Sequence, residues 1–410
     1  MKRFTERILV TRPYLPDLEE FKDGCAEIWK NRWLTNNGPM VQRFQKELAA
    51  YLGVPETNMA LFVNGTLALE LGFQAMGLEG GEVITTPFTF VATSHALRRV
   101  GARPVFADID HETLCLDPAK VEPLIKPGVT KAIVPVHVYG NVCDVEGFQR
   151  LSEKYGIPVI YDAAHAFGVT TGRRLKAEGR TADVNHHCST SDLQPSTSIA
   201  TCGDMSMFSF HPTKLFHSCE GGLLVFKDEE SLHRSTFNLR PSTSLQEKLF
   251  ELRNFAIHGE LNCTDVGSNA KMNELQALMG LCCLRKIDDL LACRRQIYNA
   301  YAEVFDCPTS DLRPPTLRLL PHSANKAYVP VLFKDFETRE RVYTGLKEKC
   351  NVFSRRYFYP LLTDFAPYAY AKGTCPIAEN IASRVLTLPT YHGLPLDAVR
   401  DIGKDVLEMI

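Results

Sequence analysis

No window of 18 consecutive apolar residues occurs in this chain, and the opening Met1-Lys2-Arg3-Phe4-Thr5-Glu6-Arg7 has no apolar signal core. Both absences argue against a membrane span or a secretory leader, and the expected setting is the cytoplasm. A basic stripe is missing too. Lys and Arg are scattered and the net charge is −2, so nucleic acid is not the expected partner. Thirteen cysteines are present, yet the number is odd and no CxxC pair occurs. The adjacent Cys282 and Cys283 cannot readily bridge each other, so reduced thiols serving as small core residues are expected. His186-His187-Cys188 lacks further ligands at zinc-like spacing, and no metal site is expected. There is no internal repeat.

What is present is an ordinary globular composition, 45% hydrophobic and 23% charged over 410 residues, enough for two domains and a large core. Amphipathic periodicity predicts helices at about 17–30 and 40–52, separated by the turn cluster Leu34-Thr35-Asn36-Asn37-Gly38-Pro39. Seven short apolar runs follow, at about 59–64, 83–87, 104–109, 131–136, 158–162, 205–210 and 222–226. Most alternate with helical patterns such as 66–77 and 143–154. Near-continuous Val, Ile and Phe runs between helices predict strands buried on both faces of a mainly parallel sheet. The fold class is therefore α/β, a seven-stranded sheet flanked by helices, with the large domain at 1–255. From 256 to 410 helical periodicity dominates 270–285, 288–305, 336–350 and 396–409, around the strand-like 327–333, which predicts a smaller α+β domain. Two polar stretches, 172–202 and 228–250, are expected to be surface insertions.

Ligands of such sheets gather at the carboxyl ends of the strands, where Asn64, Pro87, Asp162 and Ser209 to Lys214 fall. Asp162 ends one apolar run and Lys214 follows another. A strand-end aspartate with a strand-end lysine suits pyridoxal phosphate (PLP): the lysine forms a Schiff base, and the aspartate keeps the ring nitrogen protonated. Alone, a buried lysine commonly makes an ion pair and a strand-end Asp commonly caps a helix. Asn64-Gly65-Thr66 at a helix start makes a phosphate cradle from exposed N–H groups, although it is also a common cap. An aromatic in Thr86-Pro87-Phe88-Thr89-Phe90-Val91 could lie flat on a pyridine ring or belong to the core. His165, three residues beyond Asp162, could reach the ring's phenolic oxygen if a helix begins there.

With these blocks assembled, the chain resembles the DegT/DnrJ/EryC1/StrS family of sugar aminotransferases, fold-type I PLP enzymes, from about residue 30 to its end. The resemblance rests on Leu34 to Pro39, Asn64-Gly65-Thr66, Thr86 to Thr93, Asp162-Ala163-Ala164-His165, Phe208 to Lys214, Glu220-Gly221-Gly222, Gly267 to Glu274, Phe358-Tyr359-Pro360 and Ala382 to Pro389. It implies that Lys214 holds PLP covalently, Asp162 pairs with the pyridinium nitrogen, Phe90 stacks on the ring and His165 contacts its phenolic oxygen. Gly65, Thr66 and Ser209 would hold the phosphate. Asn269 would reach it from a neighbouring subunit, which implies a homodimer with shared sites. Departures are the long span from Asp162 to Lys214 and Phe216-His217-Ser218-Cys219, where relatives carry smaller residues.

The implied chemistry moves an amino group from glutamate to a nucleotide-linked keto-sugar. The stretches 83–97 and 269–274 look most like C4-acting members that make dTDP-4-amino-4,6-dideoxyglucose, while C3-acting members share every cofactor motif. A sister PLP sugar dehydratase would carry His where Lys214 stands, and a non-catalytic sensor would lack Lys214 or Asp162. A PLP enzyme of free amino acids would need a carboxylate-binding Arg, for which Arg253, Arg355 and Arg356 are open. Tyr359, His217 and Asn36-Asn37 are candidate substrate contacts, each equally readable as structural.

Overall fold

The computed structural model describes residues 2–171, 197–228, 244–263, 265–305, 317–320 and 323–410. Helix α1 (Leu18–Asn31) starts where the Asp17 carboxylate accepts the N–H groups of Glu19 and Glu20, at 2.9 and 3.2 Å. Helix α2 (Pro39–Leu52) has proline at its first position, where no N–H is needed, and ends on Gly53 at φ 68°. The seven apolar runs become β1 (Met59–Phe62), β2 (Glu82–Thr85), β3 (Arg103–Phe106), β4 (Thr130–Val134), β5 (Ile160–Asp162), β6 (Met205–Ser209) and β7 (Gly222–Phe226). Helices α3 (Gly65–Ala75), α4 (Val91–Arg99) and α5 (Val145–Tyr155) alternate with them.

Pairing gives one continuous order, β1-β7-β6-β5-β4-β2-β3. The β5–β4 link is made by the parallel bridges Ile133 to Val159 and Val136 to Asp162. Only β7 runs antiparallel to its neighbours. Met59, Ala60, Leu61 and Phe62 of β1 are all fully buried, as are Val83 and Ile84 of β2, because helices cover both faces. The carboxyl ends of β1, β5 and β6 therefore open on one edge, which brings Asn64, Asp162 and Ser209 together.

Beyond α6 (Leu245–Leu252), helix α7 (Glu274–Leu284) packs on α1 and α2. Its start is doubly fixed, since Asn273 and Gln276 cap each other reciprocally. Glu274, 1% exposed, accepts from the N–H groups of Met40 at 2.8 Å and Val41 at 3.1 Å, so a carboxylate of α7 caps α2. Gly38 leaves the room: a Cβ there would sit 2.6 Å from the Glu274 carboxyl carbon. Farther on, β8 (Leu317–Leu319), β9 (Val329–Phe333) and β10 (Val385–Leu388) form an antiparallel sheet. With α8 (Ile287–Phe305), α9 (Phe336–Gly345) and α11 (Leu396–Glu408) it encloses a core of Tyr301, Val331, Leu386, Val399 and Ile402. Helix α10 (Pro376–Arg384) is tied to the first sheet through Asp108, which accepts from the N–H groups of Ile377 and Ala378 at 2.8 and 2.9 Å. We propose a division of the chain near residue 256, with α7 packed across it onto α1 and α2.

Some expectations are corrected. The polar stretch 228–250, expected as a surface insertion, carries regular structure: from Leu245 it is helix α6, started by a Ser244–Glu247 capping box. Within 172–202, Thr197–Ser198 pairs with Thr170–Thr171 and a 3₁₀ turn covers Ile199–Thr201. The remainder of that stretch, with His186-His187-Cys188, lies outside the described residues. No helix begins at 162–165, because Ala163 to Gly168 form turns. The periodicity at 336–350 is α9 plus a π turn over Leu346–Cys350. Among the described residues no helix is long and apolar enough to cross a membrane, and no group of three or more His, Cys, Asp or Glu could hold a metal.

Behind β5, His137 is fully buried and stacks on Tyr161 at 4.7 Å. Its Nδ1 accepts from the Cys143 N–H at 3.1 Å, which puts the neutral ring's proton on Nε2. Burial pushes its pKa down to about 4. The unfolded chain thus takes up a proton near pH 6.5 that the folded chain refuses. This contribution to stability is complete above pH 6.5 and is lost as pH falls toward 4. His165 and His217, also lowered by burial, act in the same direction.

Glu274→Ala is expected to cost about 2–3 kcal/mol by stranding two buried amides, and Glu274→Gln about 1 kcal/mol, read from urea midpoints. An unchanged midpoint for Glu274→Ala would remove the carboxylate's capping role. The urea midpoint is also expected to fall between pH 6.5 and 4, with His137→Asn lowering the slope by up to about 1.4 kcal/mol per pH unit. Equal slopes for both proteins would show that His137 titrates normally when folded.

Candidate active site

Strand β5 delivers Asp162 at its last residue, 5% exposed. Its Oδ2 accepts from the Thr93 hydroxyl at 2.6 Å and its Oδ1 from the Ala164 N–H at 3.0 Å. Beside it, β6 ends at Ser209, and the chain turns so that the Lys214 N–H donates to the His211 carbonyl at 2.9 Å. Lys214 is half-buried. Burial lowers its pKa, and the Asp162 charge opposes that shift. Burial likewise raises the Asp162 carboxyl, opposed by Thr93, Ala164 and Lys214. Desolvation thus outweighs the mutual attraction of the two groups, so a buried carboxylate here gains from a further cationic partner.

The cradle is built by the turn from β1 to α3. Asn64 caps the helix by accepting the Leu67 N–H at 2.9 Å, and the first helical bond runs from the Ala68 N–H to the Asn64 carbonyl. The amides of Gly65 and Thr66 lie ahead of it, in the position where helices bind anions. A Cβ on Gly65 would lie 3.0 Å from Ser209 Cβ, so glycine lets this turn close on the Ser209 hydroxyl. A buried carboxylate, an amine and an amide cradle on one sheet edge fit the ring nitrogen, aldehyde carbon and phosphate of PLP.

Phe90 immediately precedes α4 and is 56% exposed, unlike Phe88, which is fully buried. The same helix start carries Thr93, three residues on, against Asp162. The hydroxyl's role was not foreseen from the sequence, although its spacing from Phe90 was a usable signal.

His165 is 7% exposed despite the absent helix, because other segments place it. Its Nδ1 accepts from the Tyr139 N–H at 3.1 Å, which leaves Nε2 as a donor. Tyr328 lies 4.7 Å from the ring, and Phe358 stacks parallel to it at 5.9 Å. Burial, with the Lys214 charge adding to it, holds the ring's pKa well below the usual imidazole range. Asn325 donates to the carbonyls of His165 and Phe167, both at 3.0 Å, and accepts from Ser323 and the Ala327 N–H. Tyr328, Tyr357 and Asn325 come from distant chain segments that no local pattern marks.

Asn269 is exposed, and its Oδ1 accepts from Lys271 Nζ at 2.7 Å. His217 is 2% exposed and sits against the Tyr14 carbonyl at 2.7 Å, a structural role. Tyr359 packs 4.4 Å from the Arg339 guanidinium on α9, and Asn36 and Asn37 form an exposed left-handed turn. Of the three arginines, Arg253 is buried against the Leu61 carbonyl and Phe250. Arg356 pairs with Glu340 at 2.6 Å. Arg355 is exposed.

Residues 17–407 match the model of the DegT/DnrJ/EryC1/StrS aminotransferase family. The dTDP-4-amino-4,6-dideoxy-D-glucose transaminase of Shigella dysenteriae is 39% identical over 407 residues, covering 98% of this chain and 99% of that protein. Its Escherichia coli counterpart of the same name is 35% identical, covering 98% of each. The crystal structure of DesI, solved in the presence of its TDP-sugar product, superposes with a TM-score of 0.82 at 30% identity, over 100% of this chain and 94% of that one. The chain belongs to the DegT/DnrJ/EryC1/StrS aminotransferase family and is a PLP-dependent sugar aminotransferase of fold type I.

Proposed function

We propose that the chain transfers an amino group from glutamate to C4 of a nucleotide-linked 4-keto-6-deoxy sugar, dTDP-4-keto-6-deoxyglucose. The observation that carries the chemistry is one sheet edge that holds the buried Asp162 carboxylate, the chain turn to Lys214 after Ser209, and the Gly65 turn closed against Ser209. The choice of sugar is supported by the two transaminases at 39% and 35% identity. Amination at C3 is the second reading, because a dTDP-3-amino-3,4,6-trideoxy-alpha-D-glucose transaminase of Micromonospora megalomicea is also similar, at 28% identity.

Bound PLP supplies the electron sink that makes a proton on the substrate's amine-bearing carbon removable. The protein's residues do the rest. Asp162, desolvated yet held ionisable by Thr93 and Ala164, keeps a proton on the ring nitrogen. Lys214 would hold the cofactor, and its amine, made less basic by burial, would when free take the proton from the substrate carbon and return it two atoms away. His165 would donate from Nε2 to the phenolic oxygen, Phe90 would cover the ring, and Gly65, Thr66 and Ser209 would hold the phosphate. We assign Asn269 to the phosphate of a partner subunit's site, which makes a homodimer the working unit. Its exposure, next to Ala270 whose carbonyl accepts from the Val63 N–H at 2.7 Å, supports that reading.

Purified protein with PLP is expected to show a visible absorption band that glutamate bleaches and dTDP-4-keto-6-deoxyglucose restores. A bleached band restored only by a 3-keto sugar would move the reaction to C3, and no band would remove the PLP role. Lys214→Ala should fold normally and lose turnover; near-native transamination would sink the assignment. Mixed dimers of Asn269→Ala and Lys214→Ala subunits should regain one complete site, whereas no recovery in verified heterodimers would exclude the shared arrangement.

A further inference from the structure

Strand β3 ends the main sheet, with β2 and β4 between it and β5. Where the turn after β3 meets the smaller sheet and α10, the surface holds an open groove of about 460 Å³. The buried part of its lining is apolar, Leu332 of β9 and Ile381 of α10. The exposed part is Arg318 of β8, His111 and Asn380, with Arg384 half-buried among them. None of these residues belongs to the site above, and a groove of this volume suits a small-molecule ligand.

Every polar partner that the described residues give the two guanidinium groups is neutral. Arg384 donates from Nη1 to the carbonyls of Phe333 and Lys334 at 3.3 and 3.2 Å. It donates from Nε to the Asn380 carbonyl at 3.3 Å and from Nη2 to the Asn380 amide oxygen. Those four bonds aim the group and leave its charge unpaired. Arg318 donates once, to the His111 carbonyl at 3.5 Å, so most of its fork is unused. Asp335, the carboxylate whose charge reaches Arg384, is spent as the cap of α9, accepting from the Thr338 N–H at 2.7 Å. The acids beside the groove, Asp110 and Glu112, face His111 instead, at 3.8 and 3.9 Å. Burial lowers the Arg384 pKa and the Arg318 charge adds to that shift, so the two cations repel each other. The start of α10 makes no anion site of its own, because Asp108 already takes the Ile377 and Ala378 N–H groups.

We propose that this groove binds a phosphate ester, with Arg318 and Arg384 holding the phosphate and Leu332, Ile377 and Ile381 receiving the body of the ligand. A phosphate monoester carries close to two negative charges at neutral pH, which matches two unpaired guanidinium groups; a single carboxylate would leave one of them unmatched. The planar forks also fit its oxygens. With the Asn380 Oδ1 turned to Arg384, its Nδ2 is left to a hydroxyl or ring acceptor of the ligand. A ligand held this way joins the turn after β3 to β8 and α10, and so ties the edge of the main sheet to the smaller one. The groove stands independently of the transamination chemistry.

The test is titration calorimetry of PLP-loaded wild-type, Arg318→Gln and Asn380→Asp proteins. Thymidine 5′-monophosphate, glucose 1-phosphate and inorganic phosphate serve as separate probes. Arg318→Gln removes a charge from an exposed side chain, and Asn380→Asp gives Arg384 a carboxylate of its own. Each substitution is expected to weaken the same ester by about tenfold, the loss of one charge-assisted pair. Affinity that belongs to the catalytic site is untouched by either change, so the difference between proteins reports the groove. A variant-sensitive site that prefers the thymidine probe identifies a nucleotide, and one that prefers glucose 1-phosphate identifies a sugar phosphate. Inorganic phosphate bound as tightly as both esters would overturn the ester assignment, and equal affinities in all three proteins would overturn the groove. Turnover of Arg318→Gln without any probe is expected at the wild-type level; a fall would place Arg318 in the catalytic machinery and overturn a separate site. Should Arg318→Gln fold poorly, Asn380→Asp carries the same binding test.

Discussion

Burial of the Asp162 carboxylate next to the Lys214 amine is the constraint around which the rest of the chain is arranged. Each charge is more costly in the interior than in water, and their mutual attraction does not cancel that cost: the carboxyl is raised and the amine lowered. The protein holds this pair in place from outside. Thr93 at the start of α4 and the Ala164 amide fix the carboxylate, and the β5–β6 register fixes the strand from which it hangs. The result is a site whose two key groups are each closer to neutrality than they would be in solvent. That suits a lysine that must carry protons and an aspartate that needs a cationic partner.

Around that pair the architecture repeats one device, a backbone or polar side chain from one segment fastening another. Asn325 clasps the carbonyls of His165 and Phe167, Tyr139 holds both the His165 ring and the Tyr357 carbonyl, and Asp108 caps α10. Glu274 does the same for α2. These links use groups that are buried and therefore strong in the low-dielectric interior. They hold the smaller sheet and its connecting segment against the carboxyl edge of the larger one, so residues nearly two hundred positions from Lys214 in sequence form one rim.

Much of this was legible from the residues. All seven strands of the main sheet sit close to the apolar runs, because strands buried on both faces must be apolar throughout. Asp162 and Lys214 could be picked out because the first ends one such run and the second follows another within four residues. Weaker signals failed where tertiary contacts decide. The stretch 228–250 looked like a surface insertion, yet its end is α6, whose Leu245, Leu249 and Leu252 find a buried face. The reach of His165 was tied to a helix starting at 162–165, but Gly140, the Asn325 clasp and the Tyr139 amide select turns instead. Strands β8 and β10 are short, and local periodicity does not reveal a strand that is stabilised by its neighbour β9.

The sequence by itself determined the order of strands and helices, the glycine turn before α3, and which lysine and aspartate the proposed chemistry uses. Those follow from local rules of periodicity, capping and glycine turns, and from a family pattern written in short contiguous blocks. Only the tertiary structure decided which groups complete the site. Thr93 bonds Asp162 across 69 residues, Tyr139 meets His165, and Arg355 stays exposed while Arg253 and Arg356 are spent on internal partners. Their roles depend on burial and on who else is nearby. Those quantities exist only once the sheet has closed, so no spacing along the chain could have announced them.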